Sequence, residues 1–190
     1  EITTRLVGSE MCIRDRYTEF VHENYCKVPD NSDMQALYSR YISDSGISDM
    51  DLYGKLDYIR NILAENAEYS LTPGKTPSSE DFVSYFLNEN HKGYCVHFAT
   101  SGVVLARMAG IPARYAEGYV LLSDDFCDEN KRADGSYKVD IKDNRAHAWA
   151  EIYIDGLGWI PYEFTPSSAA AFNSEGQTAE TQQATTEAVT

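Results

Sequence analysis

The stretch GYCVHFATSGVVLARMAGIPARYAEGY, residues 93–119, decides the fold. Gly93, lacking a Cβ, reads as a tight turn before the cysteine. A helix then begins at Cys95, stops at Gly110 and cannot resume because Ile111 is followed by Pro112. Residues 113–122, rich in Tyr, Val and Leu, read as a strand. Along the helix Ala99, Gly102, Val103, Ala106 and Ala109 recur at helical spacing and form a narrow stripe on the side of Cys95. Small residues let a second layer approach closely, so the spacing predicts a buried central helix. On the first helical turn, unpaired N–H groups and the positive dipole end favour a thiolate at Cys95. The plainer reading of such a cysteine is a small buried apolar residue.

Working outward, Tyr17, Phe20, Val21 and Tyr25 fit a helix that ends before Pro29, and Ser32 reads as the cap of a second helix carrying Leu37, Tyr38, Tyr41 and Ile42. A third run places Leu52, Leu56, Ile59 and Leu63 on one face and begins at Ser48-Asp49. TPGKTPSS, residues 72–79, is a loop, and Ser79 reads as the cap of a short helix with Phe82, Val83, Phe86 and Leu87. These helices are expected to wrap the Cys95 helix. Downstream, residues 123–143 form a long acidic loop or exposed hairpin with a turn at Asp134-Gly135.

AHAWAEIYI, residues 146–154, then alternates. Ala146, Ala148, Ala150, Ile152 and Ile154 lie on one face, with His147, Trp149, Glu151 and Tyr153 on the other. A turn over residues 155–158 leads to a pairing strand from Trp159 to Thr165, with Trp159, Pro161, Glu163 and Thr165 on one face and Ile160, Tyr162 and Phe164 on the other. Cys95, His147 and Glu163 thus occur in the order nucleophile, base, orienter, and the simple alternation puts His147 and Glu163 on the same side of consecutive strands. The expected contact is Glu163 accepting the Nδ1–H of His147. The plain alternatives are a strand histidine satisfied by a neighbour and a solvated edge-strand carboxylate. His97 falls about 200° round the helix from Cys95 and faces away. His22 lies on a surface helix and His91 in a polar loop, and no third and fourth ligand joins Cys95 and His97 in a metal site.

With 190 residues, 43% hydrophobic, and a formal charge of −14, the chain suits one domain and argues against nucleic acid or an anionic membrane surface as partner. Cys12, Cys26, Cys95 and Cys127 show neither metal spacing nor a dense disulfide framework. No apolar run reaches the ~18 residues of a spanning helix. Residues 1–16, which include LVGSEMCIRDR, read as a non-native adapter-derived scar, because the chain begins at Glu1 and this stretch is similar to translated adapter read-through. Residues 17–166 are the expected domain. Residues 167–190, rich in Ala, Thr, Gln and Glu, read as a disordered tail or linker.

The blocks GYCVHFATSGVVLARMAGIPARYAEGY, AHAWAEIYI and GWIPYEFTP, in this order, resemble the transglutaminase-like core over about residues 50–166. The resemblance implies an α+β, papain-like/transglutaminase-like fold, with the cysteine helix packed on an antiparallel sheet. It matches Cys95 to the nucleophile, His147 to the base and Glu163 to the third triad member. At that last position the family usually has aspartate in Asp-Pro-Thr, whereas this chain reads Glu163-Phe164-Thr165. It further implies a cofactor-independent acyl transfer through a thioester, either crosslinking glutamine to amines or hydrolysing peptides and amides. The expected partner is a protein or peptide bearing a side-chain amide or a peptide bond. Many bacterial relatives are extracytoplasmic domains of membrane-anchored proteins, and the acidic charge and tail composition fit an exported domain tethered outside this stretch. The alternative is a catalytically silent module that binds protein or cell-wall peptide.

Overall fold

A computed structural model describes the backbone of residues 2–166 and the side chains of residues 14–166. The expected tail, 167–190, lies outside the described residues. Helix α1 spans Ile2–Tyr25 and ends well before Pro29. Helix α2, Ser32–Tyr41, is capped by Asn31, whose side chain accepts the Met34 N–H at 2.9 Å, one residue upstream of the serine expected. Helix α3, Leu52–Asn66, begins after a 3₁₀ turn at Ile47–Asp49 and is capped by Asp51, not at Ser48-Asp49. Asp81 rather than Ser79 caps α4, Phe82–Tyr85, accepting from Val83 and Ser84 N–H at 3.0 and 2.9 Å. In each case an Asx side-chain oxygen accepts an orphan N–H at the helix start.

Beyond α4 a π turn, Phe86–Asn90, leads to two short parallel strands, β1 (Glu68–Tyr69) and β2 (Lys92–Gly93), paired Tyr69 to Gly93. Helix α5, Cys95–Met108, follows at once, and Gly110 terminates it at φ +77°. Strands β3 (Ala113–Tyr119), β4 (Ala146–Ile154) and β5 (Gly158–Tyr162) form an antiparallel sheet in that order. Between β3 and β4 the chain makes 3₁₀ turns and one isolated bridge, Lys131 to Tyr137.

Helix α5 lies against the sheet face carrying Ala113, Ala150 and Ile152, all buried. Leu56, Ile59 and Leu63 of α3, with Phe86 and Leu87, close over its other side. Four helical residues of the predicted stripe, Ala99, Gly102, Val103 and Ala106, are buried there. The expectation that every helix wraps α5 fails for α1. That helix lies on the opposite face of the sheet, where Tyr17 accepts from Trp159 Nε1 at 2.9 Å, Thr18 meets the Tyr153 hydroxyl at 3.0 Å and Tyr25 packs edge-on against Trp159. Aromatic residues at alternate positions of β4 and β5 gave that face an apolar surface of its own to cover.

β5 also differs from expectation. It ends at Tyr162, so Glu163, Phe164 and Thr165 lie past the strand, yet Phe164 still turns to α5 and Glu163 to His147, the sides the alternation predicts. Pro161 is accommodated because β5 is an edge strand. Phe164 is fully buried in a notch over Gly102 of α5.

Candidate active site

Cys95 is the first residue of α5, and the extended backbone of Tyr94 precedes it. Gly93 is needed here for closeness rather than for a turn: its φ is not positive, but a Cβ would stand 2.5 Å from His97 Cβ and 2.7 Å from Phe86 Cε2. His97 faces away from Cys95, as its helical position predicts. It is 6% exposed, clasped by the Phe82, Tyr94 and Phe86 rings at 4.7, 4.8 and 5.2 Å, and its Nδ1 accepts the Tyr94 N–H at 3.4 Å. Burial lowers its pKa, which keeps it neutral and able to accept.

The end of β5 shapes the other half of the site. Val120 N–H to Arg145 C=O and Tyr153 N–H to Pro112 C=O bracket the β3–β4 ladder, so odd residues of β4 bond to β3 and even residues face β5. Ala150 pairs with Tyr162, the last residue of β5. Ala148, two residues earlier, has no strand partner on that side, and its N–H donates to Cys95 Sγ instead. Burial pushes the Cys95 thiol up, but its hydrogen bond with His147, the Ala148 and Val96 N–H groups and the His147 charge outweigh this, and the pKa is lowered.

His147 projects from β4 with its ring within hydrogen-bonding reach of Cys95. Its Nε2 lies 2.6 Å from Glu163 Oε2. The expected Nδ1 contact is therefore corrected: Nε2 faces the carboxylate, which leaves Nδ1 for the thiol side. Hydrogen bonds to Cys95 and to Glu163 overcome burial and raise the His147 pKa to about 9. Trp149 lies nearly parallel to the imidazole, with ring centroids 6.3 Å apart and an angle of 22° between the planes. Glu163 Oε1 accepts the Thr165 N–H at 2.8 Å. Burial alone would raise the Glu163 carboxyl, yet the His147 and Thr165 contacts outweigh it and hold it low. A lowered thiol, a raised imidazole and a lowered carboxyl each favour the charged form of the group.

The three candidates from the sequence thus come together from a helix start, a strand and the segment just past the next strand. Three tyrosines around them were not anticipated. Tyr69 is raised by burial and then by the charges of Cys95 and Glu163, so it lies near both. Tyr115 is raised to about 12 by burial, by its hydrogen bond to Glu117 and by the Cys95 charge. Tyr94 adjoins Cys95 in the chain and touches His97. Tyr115 could be found from strand alternation, whereas Tyr69 arrives through a two-residue parallel pairing that leaves no local pattern. Among the described residues no group of three or more His, Cys, Asp or Glu could hold a metal ion, and Cys26, Cys95 and Cys127 are free thiols.

Residues 42–164 match the model of the transglutaminase-like superfamily. The chain is 35% identical over 117 residues to the uncharacterized protein YebA of Bacillus subtilis, an alignment covering 60% of this chain and 15% of that protein. It is 32% identical over 97 residues to a protein-glutamine gamma-glutamyltransferase of Pseudomonas aeruginosa, covering 51% of this chain and 13% of the relative. It therefore spans less than a sixth of either relative's length. The crystal structure of the periplasmic domain of TgpA from Pseudomonas aeruginosa shares the fold, with a TM-score of 0.59, 23% identity and coverage of 83% of this chain and 51% of that one. With a family match over most of its length and an α+β, papain-like arrangement of cysteine helix on antiparallel sheet, the chain belongs to the transglutaminase-like superfamily.

Proposed function

We propose that this domain carries out thiol-dependent acyl transfer on amide substrates through Cys95, His147 and Glu163. The observation that supports this best is one imidazole held 2.6 Å from Glu163 by Nε2 and hydrogen-bonded to the Cys95 thiol. The Cys95 thiolate attacks the amide carbonyl carbon and a C–S bond forms. The N–H groups at the start of α5 stabilise the oxyanion. The His147 imidazolium gives its proton to the departing nitrogen, the C–N bond breaks, and a thioester and an amine (ammonia, from a side-chain amide) result. An amine or water then attacks the thioester, His147 takes the proton, and the Cys95 thiolate leaves. The name of the Pseudomonas relative brings in a glutamine carboxamide as the acyl donor, and hydrolysis of a peptide or amide uses the same intermediate.

In this reading residues 17–166 are the acyl-transfer domain, residues 1–16 a non-native scar and residues 167–190 a tail or linker. The domain lies outside the cytoplasm, as the periplasmic TgpA domain does, in a longer membrane-anchored protein. Among the described residues no helix is long and apolar enough to cross a membrane. The test is Cys95→Ala, assayed with a glutamine-containing peptide with and without an added amine. Loss of both transfer and hydrolysis with unchanged cooperative unfolding is expected. Wild-type turnover in that variant would remove Cys95 from the chemistry.

A further inference from the structure

Helix α5 covers only part of the sheet face on which it lies. At the far end, Ala113 and Ile152 are paired and buried beneath it. Toward its N-terminus the same face of β3 carries Tyr115, Glu117 and Tyr119, paired with Ala150, Ala148 and Ala146. All three β3 residues are exposed, Tyr115 at 37% and Tyr119 at 55%. This uncovered shelf begins where Cys95 ends the helix. Glu117 is the direct cross-strand partner of Ala148, the residue whose N–H bonds the thiol, and directly paired residues have Cβ atoms about 5 Å apart.

The Tyr115 hydroxyl donates to Glu117 Oε2 at 3.2 Å, which fixes the carboxylate without neutralising it. Among the described residues Glu117 has no cationic partner. The other carboxylate close to the thiol, Glu163, is engaged by His147 and Thr165. Glu117 is therefore an oriented, exposed and unneutralised negative charge on the shelf beside the nucleophile, with Tyr115 and Tyr119 on either side of it along β3.

We propose that the Tyr115–Glu117 pair is a specificity element that gathers the acyl acceptor as a primary alkylammonium, the chemistry of a lysine side chain. The carboxylate holds the ammonium head, and the tyrosine rings pack along the alkyl stem. Loss of one proton to solvent then frees the amine beside the thioester. This assignment rests on the acyl-transfer reading, but its test does not require turnover.

Methanethiosulfonates convert a thiolate to a mixed disulfide and release methanesulfinate, so a trimethylammonium-ethyl reagent and a neutral alkyl reagent of similar size report local cation attraction at Cys95. Rates are read at Cys95 by peptide mapping at low salt, with exposed Cys127 as the internal reference. The cation-over-neutral ratio at Cys95 should fall about fivefold in Glu117→Gln, the Coulomb contribution of one charge close by in water. Tyr115→Phe should lower it less, because the charge remains and only its placement loosens. High salt should erase the wild-type preference. A merely structural role for Glu117 would slow or speed both reagents alike and leave the ratio unchanged, and that result overturns the proposal. The acyl-transfer reading fails separately, through wild-type turnover in Cys95→Ala.

Discussion

Gly102→Ala is the substitution that best probes how the fold holds the site. In an ordinary helix interior, replacing glycine by alanine stabilises by up to ~1 kcal/mol. Here a Cβ would overlap Phe164 Cδ2 and stand 2.5 Å from Cγ, where ordinary contact begins at 3.4 Å, so the ring would have to move by at least 0.9 Å (3.4 − 2.5 Å). Phe164 is fully buried, so the shift must be taken up within the core. Overpacking of this kind costs ~1–3 kcal/mol, so the net expectation is destabilisation by ~1–2 kcal/mol, or about 2–8 °C in Tm for a domain near this size. The larger effect is on chemistry. Phe164 lies between Glu163, which contacts His147 at 2.6 Å, and Thr165, whose N–H holds Glu163 at 2.8 Å. Moving the ring by about 1 Å draws both off their partners, and a misplacement of that size costs ~10²-fold in rate. Urea unfolding and peptide turnover on the same protein read the two effects. Phe164→Leu in the Gly102→Ala background should recover part of both, as coupled neighbours do. A Gly102→Ala protein as stable as wild type, with unchanged turnover, would refute the packing that links α5 to Glu163.

Other outcomes follow from the charges at the site. Turnover should rise with pH as the Cys95 thiolate forms, below the ordinary thiol range, and fall again above about 9 as the His147 imidazolium is lost; a plateau continuing well past that value in a pH–rate profile would contradict the ion pair. The raised pKa of His147 also contributes stability that is complete below its unfolded value near 6.5 and is lost as pH rises through about 9. His97 has the opposite sign: its lowered pKa makes the unfolded chain the better proton binder, so stability present above ~6.5 falls with acidification, and His97→Gln should flatten that limb of the denaturation curve. Glu163→Gln should cut turnover by up to ~10⁴ while the protein still folds, and Glu163→Asp should retain part of the activity because charge is kept and only reach is lost. Unchanged kcat in Glu163→Gln would assign the orienting role elsewhere.

Much of this was readable from the chain because the site is built on periodic elements. The Ala99–Ala106 stripe marked the buried helix, the alternation of residues 146–154 placed His147 opposite the alanines, and the glycine–aromatic–cysteine order set Cys95 at a helix start. What could not be read depended on where elements stop or which partner a face chooses. Ser32 and Ser79 have the residue type of a cap, but a nearby Asx oxygen reaches the N–H groups in both places. The docking of α1 on the outer face turns on long-range aromatic contacts of Tyr17 and Tyr25 with Trp159 that no local period encodes. The choice of Nε2 for Glu163 turns on the rotation of one imidazole ring, which no strand period encodes.

That early end of β5 has a consequence for any effort to make the domain more robust. Continuing the strand by two residues would set Phe164 opposite Ala148 in the existing register. The sheet would gain a ladder step, and the thiol would lose the Ala148 N–H that now holds it. Completing the sheet and keeping the nucleophile charged are thus competing uses of one amide. Variants selected for thermal resistance alone should drift toward the completed sheet and lose reactivity at Cys95 as they do so. The unfinished edge is a place where the fold gives up rigidity in order to act.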